Sequence, residues 1–283
     1  MKIGNYDLYP IETGRFGLDG GAMFGVVPKP LWSKTNPPDE RNRIPLAARA
    51  LLVIGSNRKI LIDNGNGSKF TPKLIDIYKL DTNKYDLHKS LKHYGLTVAD
   101  ITDVILTHLH FDHAGGSTYL DNNELKPTFP NATYYVQKSH WEQAMHPTER
   151  DRGSFMPEDF LPLKEHDVLE FTDGECEIFP NISVLVTNGH TVAQQLPVIS
   201  DGTVTMLYSC DLFPTTSHIP LPYIMAYDLH PLKTLEEKKK ILSQALDNQW
   251  ILFFEHDPNV IMGRVIKTEK GFQFGTPIHF DQI

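Results

Sequence analysis

Short apolar runs recur along this chain, and their lengths and flanks predict strands alternating with a few amphipathic helices. Ala50-Leu-Leu-Val-Ile54 and Lys59-Ile-Leu-Ile-Asp63 flank Gly55-Ser56-Asn57, a pattern that predicts a β-hairpin. Val104–Leu106, Tyr134–Val136, Ile182–Val186, Val204–Ser209 and Trp250–Phe254 read as further strands, short and apolar enough to be buried. Asp86 to Tyr94 suits a helix that Gly95 stops. A second helix is predicted from about Leu235 to Asn248, because Leu235, Leu242, Ala245 and Leu246 share a face and Pro231 lies just before it. The run Glu236-Glu-Lys-Lys-Lys240 is expected to be the solvated side of that helix. Residues 34–45, rich in proline and charge, read as a loop, since apolar strands resume straight after it. The pattern as a whole is that of a mixed α/β architecture.

The residues just past the strand ends are more informative than the strands themselves. Directly after Val104–Leu106 comes His108-Leu-His110-Phe-Asp112-His113, then Ala114-Gly115-Gly116. With 13 histidines in 283 residues, shuffling would produce H-x-H-x-D-H only about 0.002 times per chain, so the motif carries information. Imidazoles and a carboxylate so close together suit a borderline-soft divalent metal. His190 comes after the run 182–186, Asp211 after 204–209, and His256 after 250–254. Four strands thus end in metal-competent side chains, and loops at strand ends are where α/β folds place chemistry.

Seven candidate ligands exceed what one tetrahedral zinc takes from protein, so two ions are predicted. His108, His110 and His190 would bind one; Asp112, His113 and His256 would bind the other; Asp211 would bridge them. Zinc is the expected metal, although manganese, iron and cobalt accept the same donors. Such a pair lowers the pKa of a bridging water towards about 7, which predicts hydrolysis without a serine or cysteine nucleophile. Asp112 and Asp211 are the carboxylates expected to act in catalysis, Asp112 by passing a proton to the leaving oxygen.

Charge and cysteine content narrow the partners. Twenty-seven basic against 35 acidic residues leave a net charge of −8, which disfavours nucleic acid as the main partner. Cys176 and Cys210 cannot build a disulfide framework, which points to a reducing compartment. The N-terminus lacks the apolar stretch of a signal peptide, and no run approaches the roughly 18 apolar residues of a spanning helix. A cytoplasmic protein acting on a small molecule, away from nucleic acid and membrane, is the expectation; a homodimer stays open.

Thr107-His-Leu-His-Phe-Asp-His-Ala-Gly-Gly116, Gly189-His190-Thr191, Asp211 after a strand and His256 together resemble the metallo-β-lactamase superfamily across roughly residues 50–257. The resemblance implies a four-layer αββα sandwich, two mixed sheets flanked by helices, with a dinuclear site on one sheet edge. It implies one domain over residues 1–283, with the segment 14–45 and an insertion at 146–166 as candidate lids. Gly14-Arg-Phe-Gly-Leu-Asp19, Gln137–Met145 and Phe253-Phe-Glu-His-Asp257 are most similar to the branch that opens N-acyl-homoserine lactones. Asp211, where true β-lactamases use a cysteine ligand, points away from those enzymes.

By the same resemblance Asp63 would accept the outer N–H of a ligating imidazole, an arrangement that fixes the tautomer. Met23 and Phe24 would form an apolar wall over the metals, and apolar residues of 146–162 would add a hydrophobic lid. The lactonases carry a tyrosine three residues beyond the bridging aspartate, where this chain has Pro214; either Tyr223 or Tyr227 takes its place or the role is absent. Cys210 is expected in the core, and His218 is a candidate to reach the site. Lactone or small-ester hydrolysis is the leading function. Phosphotriester, phosphodiester or aryl-ester hydrolysis at the same site is the alternative, with a di-iron, flavin-partnered oxidoreductase further behind.

Overall fold

The computed structural model describes residues 1–55, 57–81 and 84–280. Among them two seven-stranded sheets pack face to face. The first sheet has Lys2–Ile3 at its edge, antiparallel to one strand of a long antiparallel pair, Tyr6–Asp19 against Arg43–Ile54, which Lys59–Ile62 extends. Asp103–Ile105, Thr133–Gln137 and Leu169–Thr172 then add in parallel. The predicted hairpin is present, although its turn residue Ser56 lies outside the described residues. The strand from Arg43 also takes the last residues of the predicted 34–45 loop, because they pair with Leu18 and Asp19.

In the second sheet, antiparallel strands from Cys176 to Tyr208 are followed by Ile251–Phe253, which pairs in parallel with Thr205–Tyr208. Met262–Thr268 and Gly271–Pro277 complete it.

Strand alternation sorts side chains between two cores. Leu51, Val53, Ile60, Ile62 and Ile105 meet Leu196, Met206 and Tyr208 of the opposite sheet. Their neighbours Leu52, Leu61, Val104 and Tyr134 point the other way, onto the helices Leu87–His93 and Lys138–Met145 through Leu87, Leu91 and Trp141. The first of these helices starts where Asp86 accepts the Lys89 N–H at 2.9 Å and stops at Gly95, whose φ of +73° suits glycine. Helix Pro231–Asp247 covers the second sheet through Ile241, Leu242 and Ala245. It begins four residues earlier than its apolar periodicity suggested, with Pro231 as its first residue, where a missing N–H costs nothing. Its charged run also departs from expectation, because Glu237 and Lys238 are buried.

Parallel pairing positions the site. Lys59–Ile62 and Asp103–Ile105 run in register, so Asp63 and Thr107–His108 leave the first sheet at one edge. Thr205–Tyr208 and Ile251–Phe253 do the same for Asp211 and His256 in the second. No helix among the described residues is long and apolar enough to cross a membrane.

Candidate metal centre

Asp211 stands between two imidazole groups. Its Oδ2 lies 3.0 Å from His190 Nε2 and 3.7 Å from His108 Nε2, while its Oδ1 lies 3.2 Å from His256 Nε2. His113 Nε2 is 3.4 Å from Oδ2. Within the first group, His110 Nδ1 approaches His108 Nε2 at 3.0 Å and His190 Nε2 at 3.2 Å. In the second, His256 Nε2 and His113 Nε2 are 3.1 Å apart, with Asp112 Oδ2 3.7 Å from His256. All seven side chains are buried.

Local backbone explains the aim of these groups. The four-residue helix Phe111–Ala114 turns Asp112 and His113 inward, and the Asn64 N–H anchors it by donating to the His113 carbonyl at 2.9 Å. Gly115 and Gly116 are required by contact: a Cβ on Gly115 would lie 2.2 Å from the Asn66 carbonyl oxygen, and one on Gly116 2.4 Å from that of Asn64. Asp63 and Cys210 both adopt left-handed backbone, φ 55° and 47°, a conformation most side chains avoid.

Outer hydrogen bonds orient the rings. Asp63 accepts from Thr107 N–H and Oγ1, each at 2.7 Å, and lies 3.1 Å from His113 Nδ1. Glu255 faces the same nitrogen at 3.0 Å. His190 Nδ1–H donates to Asp228 at 2.9 Å, and His256 Nδ1–H donates to the Ala47 carbonyl at 2.8 Å. His108 Nδ1 and the Cys210 thiol both converge on Thr107 Oγ1, at 3.1 and 3.0 Å. Cys210 is thus a core residue, and burial pushes its thiol up to about 12. His110 Nε2 has no polar partner, and the His110 ring meets that of Phe155 edge-on, with centroids 4.8 Å apart.

The electrostatics favour added positive charge. Burial alone would raise Asp211, yet His113, His190 and His256 hold it well below the usual carboxylate range. Burial opposes protonation of His190 and His256, but Asp211, joined by Asp228 at His190 and by Glu255 at His256, outweighs it and lifts them to about 10 and about 9. Burial, reinforced by neighbouring imidazoles, keeps His108 and His110 well below the ordinary value, their lone pairs available.

A cavity of about 250 Å³ opens onto the cluster, walled by Leu18, Met23, Tyr78, Met225 and Tyr227, with His110, Asp112, His190, Asp211 and His256 at its base. Met23 is where the sequence places it. Phe24 is not on the wall: it is fully buried behind Met23, stacked between Trp32 and His218 at 5.3 and 4.7 Å. Tyr223 meets the edge of Phe24 and also stays out of the cavity, whereas Tyr227 lines it. His218 is likewise behind the wall, donating from Nε2 to the Met23 carbonyl at 2.9 Å. At Pro214 the backbone contributes, its carbonyl accepting the His256 N–H at 3.1 Å. The 146–166 segment reaches the cavity with Arg150, Gly153 and Ser154, a polar rim rather than a hydrophobic lid, because Phe155 and Phe160 turn into the core. Arg150 Nη2 donates to the Ala226 carbonyl, tying that rim to the opposite wall.

Sequence reasoning did not single out Asp228, Glu255 or Arg150. Glu255 adjoins His256 and was within reach of inspection; Asp228 lies in the irregular stretch between strand and helix, where no period marks it.

A family model described as the metallo-beta-lactamase superfamily matches residues 43–256. The chain belongs to that superfamily. A solved structure of a probable metal-dependent hydrolase from Staphylococcus aureus shares 30% identity with this superfamily member, with 98% of each chain covered and a TM-score of 0.89. AidC, a dizinc quorum-quenching lactonase solved with the product N-hexanoyl-L-homoserine, has the same fold at 23% identity, 99% and 96% coverage and a TM-score of 0.80. An N-acyl homoserine lactonase of Bacillus thuringiensis is 29% identical over 170 residues, 59% of this chain. That match spans 60% of the relative's length.

Proposed function

We propose that this protein is a metal-dependent hydrolase that opens lactones or other small esters, and that His108, His110, His190, Asp112, His113, His256 and Asp211 hold two divalent cations. The observation that carries the reading is Asp211, whose carboxylate touches both imidazole groups: Oδ2 lies 3.0 Å from His190 and 3.4 Å from His113, and Oδ1 lies 3.2 Å from His256. Three further features support it. Ring nitrogens 3.0 to 3.2 Å apart approximate the edge of a zinc coordination tetrahedron, about 3.3 Å for Zn–N bonds near 2.05 Å. Asp211 Oδ1 is buried without a hydrogen bond of good geometry, although His256 is close. Outer nitrogens of His113, His190 and His256 are tied to acceptors, leaving the inner ones to donate lone pairs. Kinship with lactonases adds weight to the substrate class.

Bound divalent cations supply a Lewis acid for the carbonyl and bring the pKa of water towards about 7. The chain's own groups do the rest. Water adds across the acyl–oxygen bond, giving a carboxylic acid and an alcohol. Asp112, at the cavity base, carries the proton from the attacking water to the leaving alkoxide oxygen. Tyr227 and Tyr78 offer hydroxyls to the substrate's polar end, while Leu18, Met23 and Met225 exclude water around its apolar end.

The deciding experiment is a panel of an N-acyl lactone, an aryl ester and a phosphotriester against zinc-reconstituted protein. Lactone or ester turnover should be fastest, vanish with chelator and return with zinc. Faster phosphotriester turnover, or activity indifferent to the chelator, would overturn the proposal.

A further inference from the structure

The charged run Glu236–Lys240 contains two adjacent residues that a solvated face cannot account for. Glu237 is 9% exposed and Lys238 is 0% exposed. Neighbouring positions on a helix diverge by about 100°, so their side chains leave the helix in different directions. The Glu237 oxygens accept from the Asn188 and Gly189 N–H groups at 2.8 and 3.0 Å. All three protons of the Lys238 ammonium are taken up by the carbonyls of His218, Pro220 and Tyr223, at 2.6, 3.0 and 2.7 Å.

Each contact leads to a different half of the site. The Glu237 contact holds the loop that presents His190, and the same helix start closes on it: the His230 N–H donates to the Gly189 carbonyl at 2.8 Å, and a Cβ on Gly189 would lie 2.3 Å from Thr234 Oγ1. From Lys238 the path runs through His218. Its Nε2–H donates to Met23, its Nδ1 accepts from Thr215 Oγ1 at 2.8 Å, and its ring stacks on Phe24. The wall is closed by the Ala226 N–H, which donates to the Ala22 carbonyl at 2.8 Å. Met23, Met225 and Tyr227, the cavity-facing residues, are all carried by these two segments.

We infer that Glu237 and Lys238 are separate positioning residues, Glu237 for the His190 loop and Lys238 for the substrate-facing wall. One helical turn thereby sets metal retention through one contact and substrate fit through the other; Asp228, which follows Tyr227 and bonds His190 Nδ1, stays with the His190 loop through the Leu229 N–H, which donates to the His190 carbonyl at 3.1 Å. The assignment of those two roles rests on the proposed hydrolase function. A buried ammonium with all donors satisfied is costly to break on one side only, which fits a part under constraint.

Hydrogen–deuterium exchange, chelator competition and steady-state kinetics on the zinc-loaded full chain test it together. Lys238→Met should speed exchange in 22–27 and 218–227 while leaving 186–191 as in the parent. It should also raise KM for the lactone or ester about tenfold, with kcat and zinc retention within about threefold. Glu237→Gln should do the reverse, speeding exchange at 186–191 and weakening zinc retention about tenfold with the wall unchanged; Glu237→Asp should recover part of the loss. His218→Ala should reproduce the Lys238→Met pattern, and it carries that arm if the lysine variant does not fold. The inference is overturned if either charge variant loosens both segments, if neither loosens its own, or if Lys238→Met loses zinc along with KM. A parent protein that hydrolyses no ester would sink the proposed function, while the exchange and zinc measurements would still judge this inference.

Discussion

Asp211 owes its aim to the residue before it. Cys210 turns the chain into the left-handed region as it leaves the strand, and its thiol is spent on Thr107, so the next side chain projects between the two imidazole groups. Asp211→Ala should therefore cost one of the two cations and most turnover, read by metal analysis and kinetics; full activity with both ions retained would contradict the bridge. Asp63 acts at one remove, since it can accept simultaneously from Thr107 and His113 only as a carboxylate. Asp63→Asn turns an N–H towards donors and should weaken zinc binding roughly 10- to 100-fold by chelator competition. Tyr227→Phe should lower kcat/KM for a lactone about tenfold, roughly what one lost hydroxyl contact explains, while Tyr223→Phe should change it little, because Tyr223 does not line the cavity.

Elements bring these residues together through two parallel strand pairs and one tight loop contact. The loop after Asp63 packs backbone to backbone on Gly115 and Gly116, leaving no room for a methyl group. Gly115→Ala, although its φ is unexceptional, should cost about 2–4 kcal/mol in denaturant unfolding and loosen His113. A loss below about 0.5 kcal/mol would mean the loops separate easily. Much of this level was legible in the sequence. His108 to His113 are local, and His190, Asp211 and His256 each come after an apolar strand, so strand ends predicted their convergence. Asp228, Phe24 and Lys238 were less legible for a common reason. Their roles depend on contacts between irregular segments, and a charge run gives no sign of which helical position turns inward.

At the scale of the whole molecule, burial and charge would make the proposed two-cation site exchange protons for cations. Burial disfavours imidazolium at His190 and His256, but Asp211 together with Asp228 and Glu255 more than compensates, placing them near 10 and 9. Without metal both rings hold protons at neutral pH, because their values lie above it; binding must expel them. Apparent zinc affinity should therefore rise with pH until it levels off near 9 to 10, and calorimetry in buffers of different ionisation enthalpy should report proton release at pH 7. Affinity independent of pH between 6 and 9 would contradict this account. The most direct test is crystallographic. Anomalous diffraction at the zinc edge from zinc-soaked crystals should give two peaks about 3.5–4 Å apart, one on each side of the Asp211 carboxylate. A single peak, or none within this cluster, would contradict the two-cation centre on which the proposed hydrolysis rests.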